Sequence, residues 1–505
     1  MLQTHVARTD EGRRARVRVP RASLPWLIGA AGAVVGFTGS WIPSYWGDEA
    51  ASVMSAERSW SGLAGMLGTI DAVHGVYYAM LHLWVGVFGS TELATRLPSA
   101  IAVGLMVAGI VVLVRGFAGD RIAIAAGIVG IMLPRTTSMA SEARSYALGA
   151  AAAVWLTVLL LRLLRRRGGV GEWLGYAVGA AACMYLFLYL GLVLIVHALY
   201  IALMHRRRLG VWAGSAAAGL LLAAPIIVLG YRQRSQIAFL ARRDYATARN
   251  VLVSQWFGHP LVGVIGWLLV TAASAALVTS LARGRADDRP RRRLTVLALL
   301  WLAVPSTLLL VGNAISPMYN VRYLSFCVPA AAILIALGAE VAGGLVGPRL
   351  RRVVPLGLVA ALLVASVPVY LGQRTMWAKD GGSDWRAVAQ YVAVNAHPGD
   401  SVFFDQATKP SRDPRIMISL YPDAFRGLHD PALKTPYTER THLWDAVVPN
   451  SVAVADMPRS SDVWAVELPS KTGRPTDITL LLQNGFRIDA SQLINRTTVY
   501  HLTKE

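Results

Sequence analysis

The sequence predicts a polytopic α-helical membrane protein of about eleven transmembrane helices with a C-terminal extracytoplasmic α/β domain. Three observations lead there. Hydrophobic residues make up 55% of the 505 positions and charged residues only 15%, whereas soluble domains carry about a quarter charged residues. The mean hydropathy is +0.47, and several apolar runs reach the ~20 residues that a bilayer-spanning helix needs. Arginines gather in short clusters between those runs, and from residue 374 onward the composition turns polar.

A formal charge of +20 suggests nucleic acid, but its distribution excludes that partner. The arginines lie in short loops, where they fix orientation in a lipid bilayer, and lysine is absent until Lys379. Cys183 and Cys327 both sit inside apolar runs, so neither a disulfide framework nor a cysteine metal site is expected. The segment RRARVRVPR precedes Leu24 without a small-residue cleavage site after the apolar run, which predicts a cytoplasmic basic tail over 1–23 and a retained first span.

Keeping arginine clusters inside gives the order of elements. Span 1 is Leu24 to Trp41, running outward. An outer loop over 42–96 follows, its His74 to Phe88 helix lying along the interface; were that helix to cross, every later arginine cluster would change sides. Spans 2 and 3, Leu97 to Val114 and Ile122 to Leu133, enclose Arg115 and Arg121, and 134–146 forms a second outer loop. Span 4 is Ala147 to Leu161, two short spans fill Trp173 to Met204, and span 7 is Val211 to Gly230. Spans 8 to 11 are Leu261 to Leu281, Leu294 to Gly312, Tyr323 to Val341 and Val353 to Tyr370. This membrane domain covers 24–373, and 374–505 is the soluble α/β domain. In it, helices are expected over Asp384 to Ala396 and Asp477 to Gln483, with strands over Ser401 to Asp405, Val463 to Leu468 and Thr497 to Leu502.

The chemistry-bearing residues collect on the outer side. Asp48 and Glu49 form an acidic pair at the lip of a membrane helix, where ionised groups are costly unless they have a task or a partner; capping the helix that follows is the simpler role for either. Adjacent helical positions point about 100° apart, so one of the two faces the substrate and the other a structural partner. Arg96, Arg144 and Arg322 stand at outer helix ends, and a planar guanidinium suits paired phosphate oxygens. The outer loop Tyr231 to His259 breaks the charge pattern; its Arg242 and Arg243 belong to a cationic wall for a phosphate-bearing lipid, or to a helix that touches anionic headgroups. His74, Tyr77, Tyr78 and Tyr146 complete the outer set as substrate contacts; otherwise His74 caps a helix start and the three tyrosines belong with Trp46 to an interfacial aromatic belt.

In chain order, the acidic pair, HGVYY, STELATRLPSAIAVGL, SEARSYAL and SPMYNVRYLSFCVPA resemble the GT-C superfamily of integral-membrane glycosyltransferases. The series is most similar to the branch of protein mannosyltransferases and lipid A aminoarabinose transferases, with His74-Gly75-Val76 where that branch usually has His-Pro-Pro. The resemblance covers about residues 24 to 345. It implies an inverting transfer from a polyprenyl-phosphate sugar donor to a hydroxyl of an envelope glycolipid, glycan or protein on the outer face of the plasma (inner) membrane. Mannose is the first sugar it suggests and arabinose the second; no metal or other cofactor is implied. Asp48 maps to the catalytic base, and Arg96, Arg144 and Arg322 to the neighbourhood of the lipid phosphate. The competing classes are a polytopic lipid or sugar transporter, which would place polar residues mid-span and often shows repeats, and a scaffold that recruits partners through the soluble tail.

Overall fold

The computed structural model describes residues 22–283, 289–408, 410–457, 462–469, 473 and 475–504. The expected tail over 1–23 therefore lies outside the described residues except for its last two, as do residues 284–288 of an arginine-rich loop.

The larger part is helical. α1 (Leu24–Phe37) leads into α2 (Gly47–Ala56), α3 (Trp60–Thr69) and α4 (Gly75–Phe88). Then come α5 (Glu92–Met132), α6 (Pro134–Ala140), α7 (Tyr146–Arg166), α8 (Val170–Leu186) and α9 (Gly191–Met204). The bundle continues through α10 (Leu209–Leu222), α11 (Ala224–Arg232), α12 (Pro260–Ala282), α13 (Arg289–Ile315), α14 (Val328–Gly344) and α15 (Val353–Gly372). Among the described residues, six helices are long and apolar enough to cross a membrane: α5, α7, α12, α13, α14 with the turn before it, and α15. α10 and α11, bent 53° to one another, make a seventh if taken together.

The expected count of about eleven spans is not reached by that measure. α5 holds two of them, separated where Gly119 stands at φ +81°, a left-handed value that costs glycine nothing because it has no Cβ. α1 and α9 have 14 residues each, short of the ~20 that cross a bilayer unaided.

The polar C-terminal region builds a small α/β sandwich. α16 (Trp385–Asn395) precedes β1 (Ser401–Phe404), α17 (Ile416–Leu420), β2 (Leu433–Thr435), β3 (Ala446–Val447) and α18 (Asn450–Ala453). It closes with β4 (Val463–Glu467), α19 (Thr476–Gln483), β5 (Phe486–Ile494) and β6 (Thr497–Lys504). The main sheet runs β1-β4-β6-β5. β1 and β4 pair in parallel, Ser401 opposite Val463, and β6 is antiparallel to both of its neighbours. Strand side chains alternate between faces, and both faces are covered. Val402, Phe404, Trp464 and Val466 pack with Trp385, Val388 and Met417; Phe403, Val463 and Ala465 pack with Ile478 and Leu481.

The expected helices and three expected strands match α16, α19, β1, β4 and β6 to within a residue or two. β5 was not foreseen, because it is an edge strand with an exposed, mostly polar face, and its pattern lacks the apolar alternation that marks a half-buried strand. α2 joins the two parts. Its Ala50, Val53 and Met54 belong to the core that holds Trp385 and Phe404, while Ala51 and Ala56 pack with Leu63, Tyr77 and Tyr78 of the membrane-side loops.

Candidate active site

The two acids of α2 diverge as their spacing demands. Glu49 turns inward and is fully buried against Arg96, also fully buried. Arg96 Nε donates to Glu49 Oε1 at 2.7 Å and Nη2 to Oε2 at 2.6 Å. Its remaining N–H groups go to the carbonyls of Ser40, Pro43 and Ser44, so all five guanidinium donors are used. Glu49 Oε1 also accepts the Ala143 N–H at 2.9 Å. The clamp fixes the first outer loop to α5 and to the second outer loop. Arg96 has no donor left for a lipid phosphate, which corrects the expectation that placed it there.

Asp48 faces the other way. Its Oδ2 accepts from Arg322 Nη1 at 2.7 Å, and both side chains keep partial exposure. Arg322 lies between α13 and α14, its guanidinium 4.7 Å over the Trp46 ring, and Asn320 Oδ1 accepts its backbone N–H at 3.1 Å. Arg144 stands behind Asp48, not in front of it. Its Nη1 donates to the Asp48 carbonyl at 3.1 Å and approaches Ser52 Oγ and Tyr78 OH at 3.4 Å, while Nη2 lies 3.0 Å from His74 Nε2. Arg144 is 7% exposed; it sets the backbone that carries Asp48.

The turn before α4 is pinned as well. Asp71 adopts φ +60°, a strained value for a residue with a side chain. Its N–H and that of Ala72 donate to Gln236 and Gln233, and Tyr78 OH donates to its carboxylate at 2.8 Å. Burial raises the Asp71 carboxyl against the pull of Arg144 and the Tyr78 bond.

A cavity of about 290 Å³ opens beside Arg322, with Trp46, Arg135, Glu142, Asn320, Gln373 and Lys379 among its walls. Arg135, on α6, donates to the carbonyls of Ser254 and Gln255 at 2.9 Å each and to no acid among the described residues. Lys379 lies 3.5 Å from Glu142. Burial alone would raise the Glu142 carboxyl, yet Lys379, Arg322 and Arg135 hold it below the ordinary carboxylate range; burial lowers the Lys379 ammonium against the attraction of Glu142. Asp380 also reaches the cavity but pairs with Arg412 at 2.5 Å and Arg496 at 3.7 Å. Three cations, Arg135, Arg322 and Lys379, thus face two acids, Glu142 and Asp48.

Of the residues singled out from sequence, the fold brings Asp48, Arg322, Arg144, His74 and Tyr78 into one network. Tyr77 is buried in the core beneath α2, and Tyr146 packs edge-on against Phe187. Arg242 and Arg243 are exposed; Arg243 donates to the hydroxyl of Tyr245, a residue that lines the cavity. Sequence reasoning missed Arg135 and Lys379. A signal existed for each: Arg135 sits in the second outer loop, and Lys379 is the first lysine of the chain.

The family model for dolichyl-phosphate-mannose-protein mannosyltransferase matches residues 75–231. No curated protein matches the chain. Among solved structures, ArnT from Cupriavidus metallidurans bound to undecaprenyl phosphate aligns with a TM-score of 0.58 at 15% identity, covering 95% of this chain and 98% of that one. Its apo state gives 0.57 at 15% identity with the same coverage. The apo oligosaccharyltransferase of Archaeoglobus fulgidus aligns with a TM-score of 0.50 at 10% identity, over 89% of this chain and 70% of that one. At such identities the likeness is one of fold, and it spans nearly the whole of ArnT: the chain carries the fold of the GT-C integral-membrane glycosyltransferases, the superfamily its sequence resembles.

Proposed function

We propose that this protein transfers a sugar from a polyprenyl-phosphate donor to a hydroxyl of an envelope glycolipid, glycan or protein, with inversion at the anomeric carbon. The observation that carries the proposal is the Asp48–Arg322 pair at 2.7 Å, beside a cavity with Arg135 and Lys379 in its walls. The solved complex of ArnT with undecaprenyl phosphate supports the donor class. The match to the dolichyl-phosphate-mannose-protein mannosyltransferase family supports mannose.

The chemistry needs a base and a home for a leaving phosphate. The acceptor hydroxyl oxygen attacks the anomeric carbon, the bond from that carbon to the phosphate oxygen breaks, and its electron pair leaves with the phosphate. Asp48 takes the hydroxyl proton. Arg322 holds the Asp48 carboxylate in place before the donor arrives and then shares its planar fork with phosphate oxygens. Arg135 and Lys379 add fixed positive charge where negative charge develops, at no cost of reorganisation. In this reading the outer loops 42–96 and 134–146 are the catalytic loops of a membrane domain over 24–373. The N-terminus is cytoplasmic, and 374–505 forms an extracytoplasmic domain at an inner membrane.

The test uses purified protein in detergent, polyprenyl-phosphate mannose or arabinose, and a membrane glycolipid extract. Wild-type protein should release polyprenyl phosphate and label the acceptor, and Asp48→Asn should lower the rate at least ~100-fold, the low end for general base catalysis. Wild-type protein inactive with every polyprenyl-phosphate donor would refute the proposal, whereas full activity of Asp48→Asn would remove only the base.

A further inference from the structure

Three carboxylates converge far along the chain from this chemistry, in the C-terminal sandwich. Asp405 immediately follows β1, Glu467 ends β4, and Asp477 lies in the first turn of α19. Because β1 and β4 are parallel neighbours, Asp405 and Glu467 emerge side by side at the carboxyl edge of the sheet, where open α/β sheets place their ligands. One oxygen from each of the three carboxylates lies within 4.8 Å of the others.

Two buried oxygens there lack partners. Glu467 is 2% exposed, and its Oε1 is enclosed without a hydrogen bond. Asn450 stands against Asp477; it is 3% exposed, donates through Nδ2 to the Phe404 carbonyl at 3.0 Å, and leaves Oδ1 enclosed and unpaired. The scaffold around them is ordered by hydrogen bonds, since Asp405 Oδ1 accepts the Ala407 N–H at 2.7 Å and Gln406 Nε2 donates to the Val448 carbonyl at 2.8 Å. Among the described residues, no arginine or lysine forms an ion pair with any of the three acids. Buried carboxylates without a counter-charge are costly.

We propose that Asp405, Glu467 and Asp477 bind a hard divalent cation such as calcium or magnesium. An all-oxygen donor set selects hard cations over zinc or copper. The cation has a structural consequence for the membrane site. The segment that leaves Asp405 reaches Ser411, whose carbonyl lies where a Cβ on Gly47 would stand, 2.0 Å away, and Arg412, which holds Asp380 at the cavity. Binding therefore anchors the root of a segment that ends against the residue before Asp48. Without a cation, the remaining way to relieve the crowding is a proton on Glu467, whose carboxyl is pushed up to about 9 by burial and by Asp477 and Asp405.

The test is made on full-length protein in detergent, stripped with a chelator and then titrated with Ca²⁺ or Mg²⁺. Thermal unfolding of the wild type should rise by a few degrees with Ca²⁺ or Mg²⁺. Terbium luminescence sensitised by tryptophan should appear and be displaced by Ca²⁺. Asp405→Asn and Glu467→Gln should lose both responses. If either fails to fold, Asp477→Asn, at a less buried position, serves in its place. No terbium or Ca²⁺ response in the wild type, or an unchanged response in every variant, overturns the proposal and leaves the shared proton as the explanation. Both readouts are independent of sugar transfer, so this inference and the proposed activity can fail separately.

Discussion

Asp48 and Glu49 differ by one methylene and one position, and the fold assigns them opposite work. Glu49 is spent on Arg96 in a fully buried bidentate pair, so Glu49→Gln should cost about 3–5 kcal/mol of stability, the range for breaking one partner of a buried ion pair. Protein that does fold should retain a measurable transfer rate; a thermally normal Glu49→Gln variant would show the clamp to be dispensable. Asp48→Asn should do the reverse, leaving the melting temperature nearly unchanged while abolishing transfer. The arginines divide in the same way. Arg322→Lys keeps the charge but loses the fork, so donor kcat/KM should fall about 10–100-fold, the value of one charge-assisted hydrogen bond of ~1.5–3 kcal/mol. Arg144 touches the Asp48 backbone and His74, not the cavity. Arg144→Lys should therefore lower kcat with little change in donor KM, and a rise confined to KM would place it at the phosphate after all.

At the scale of elements, the geometry rests on where α2 begins. Gly47 lets the Ser411 carbonyl approach a point that any Cβ would occupy at 2.0 Å. Gly47→Ala should push the two apart, with an overpacking cost of about 1–3 kcal/mol and a loss of transfer exceeding what the melting temperature accounts for. The apolar helices were legible in the sequence because length and hydropathy are local properties, and the break of α5 at Gly119 falls between two expected spans; the count of about eleven is not matched by helix length, since α1 and α9 are short. The acidic pair and Arg322 were legible as charges at helix ends, and the fold brings Asp48 and Arg322 to 2.7 Å. The burial of Arg96 was not, because the five acceptors that consume its donors come from residues 40 to 49, and nothing local marks that the chain folds back over it. Lys379 follows α15 and meets Glu142 only in three dimensions. β5 escaped because an edge strand needs no apolar alternation.

In the whole molecule, the membrane helices and the C-terminal sandwich share interior. Arg58, 1% exposed, crosses from the end of α2 to the carbonyls of Arg440, His442 and Leu443 at 2.7, 2.6 and 3.3 Å. Arg58→Ala should leave those carbonyls unpaired and cost about 1–3 kcal/mol for a buried acceptor, seen as faster proteolysis around residues 440–443 and a lower melting temperature. Arg374 and Arg386 make similar ties to the carbonyls of Thr38 and Gly36 and of Trp41 and Ile42. α2 lies between the two cores, with Tyr45, Val53 and Met54 packed on Trp385, Phe404 and Trp464. Some 330 residues of chain separate α2 from Trp385, its packing partner in the sandwich. Until residues 385–466 have been synthesised and delivered to the same side, the loop bearing Asp48 has no interior to fold against. The order of synthesis thus leaves the loop that bears Asp48 unsupported until the sandwich is complete.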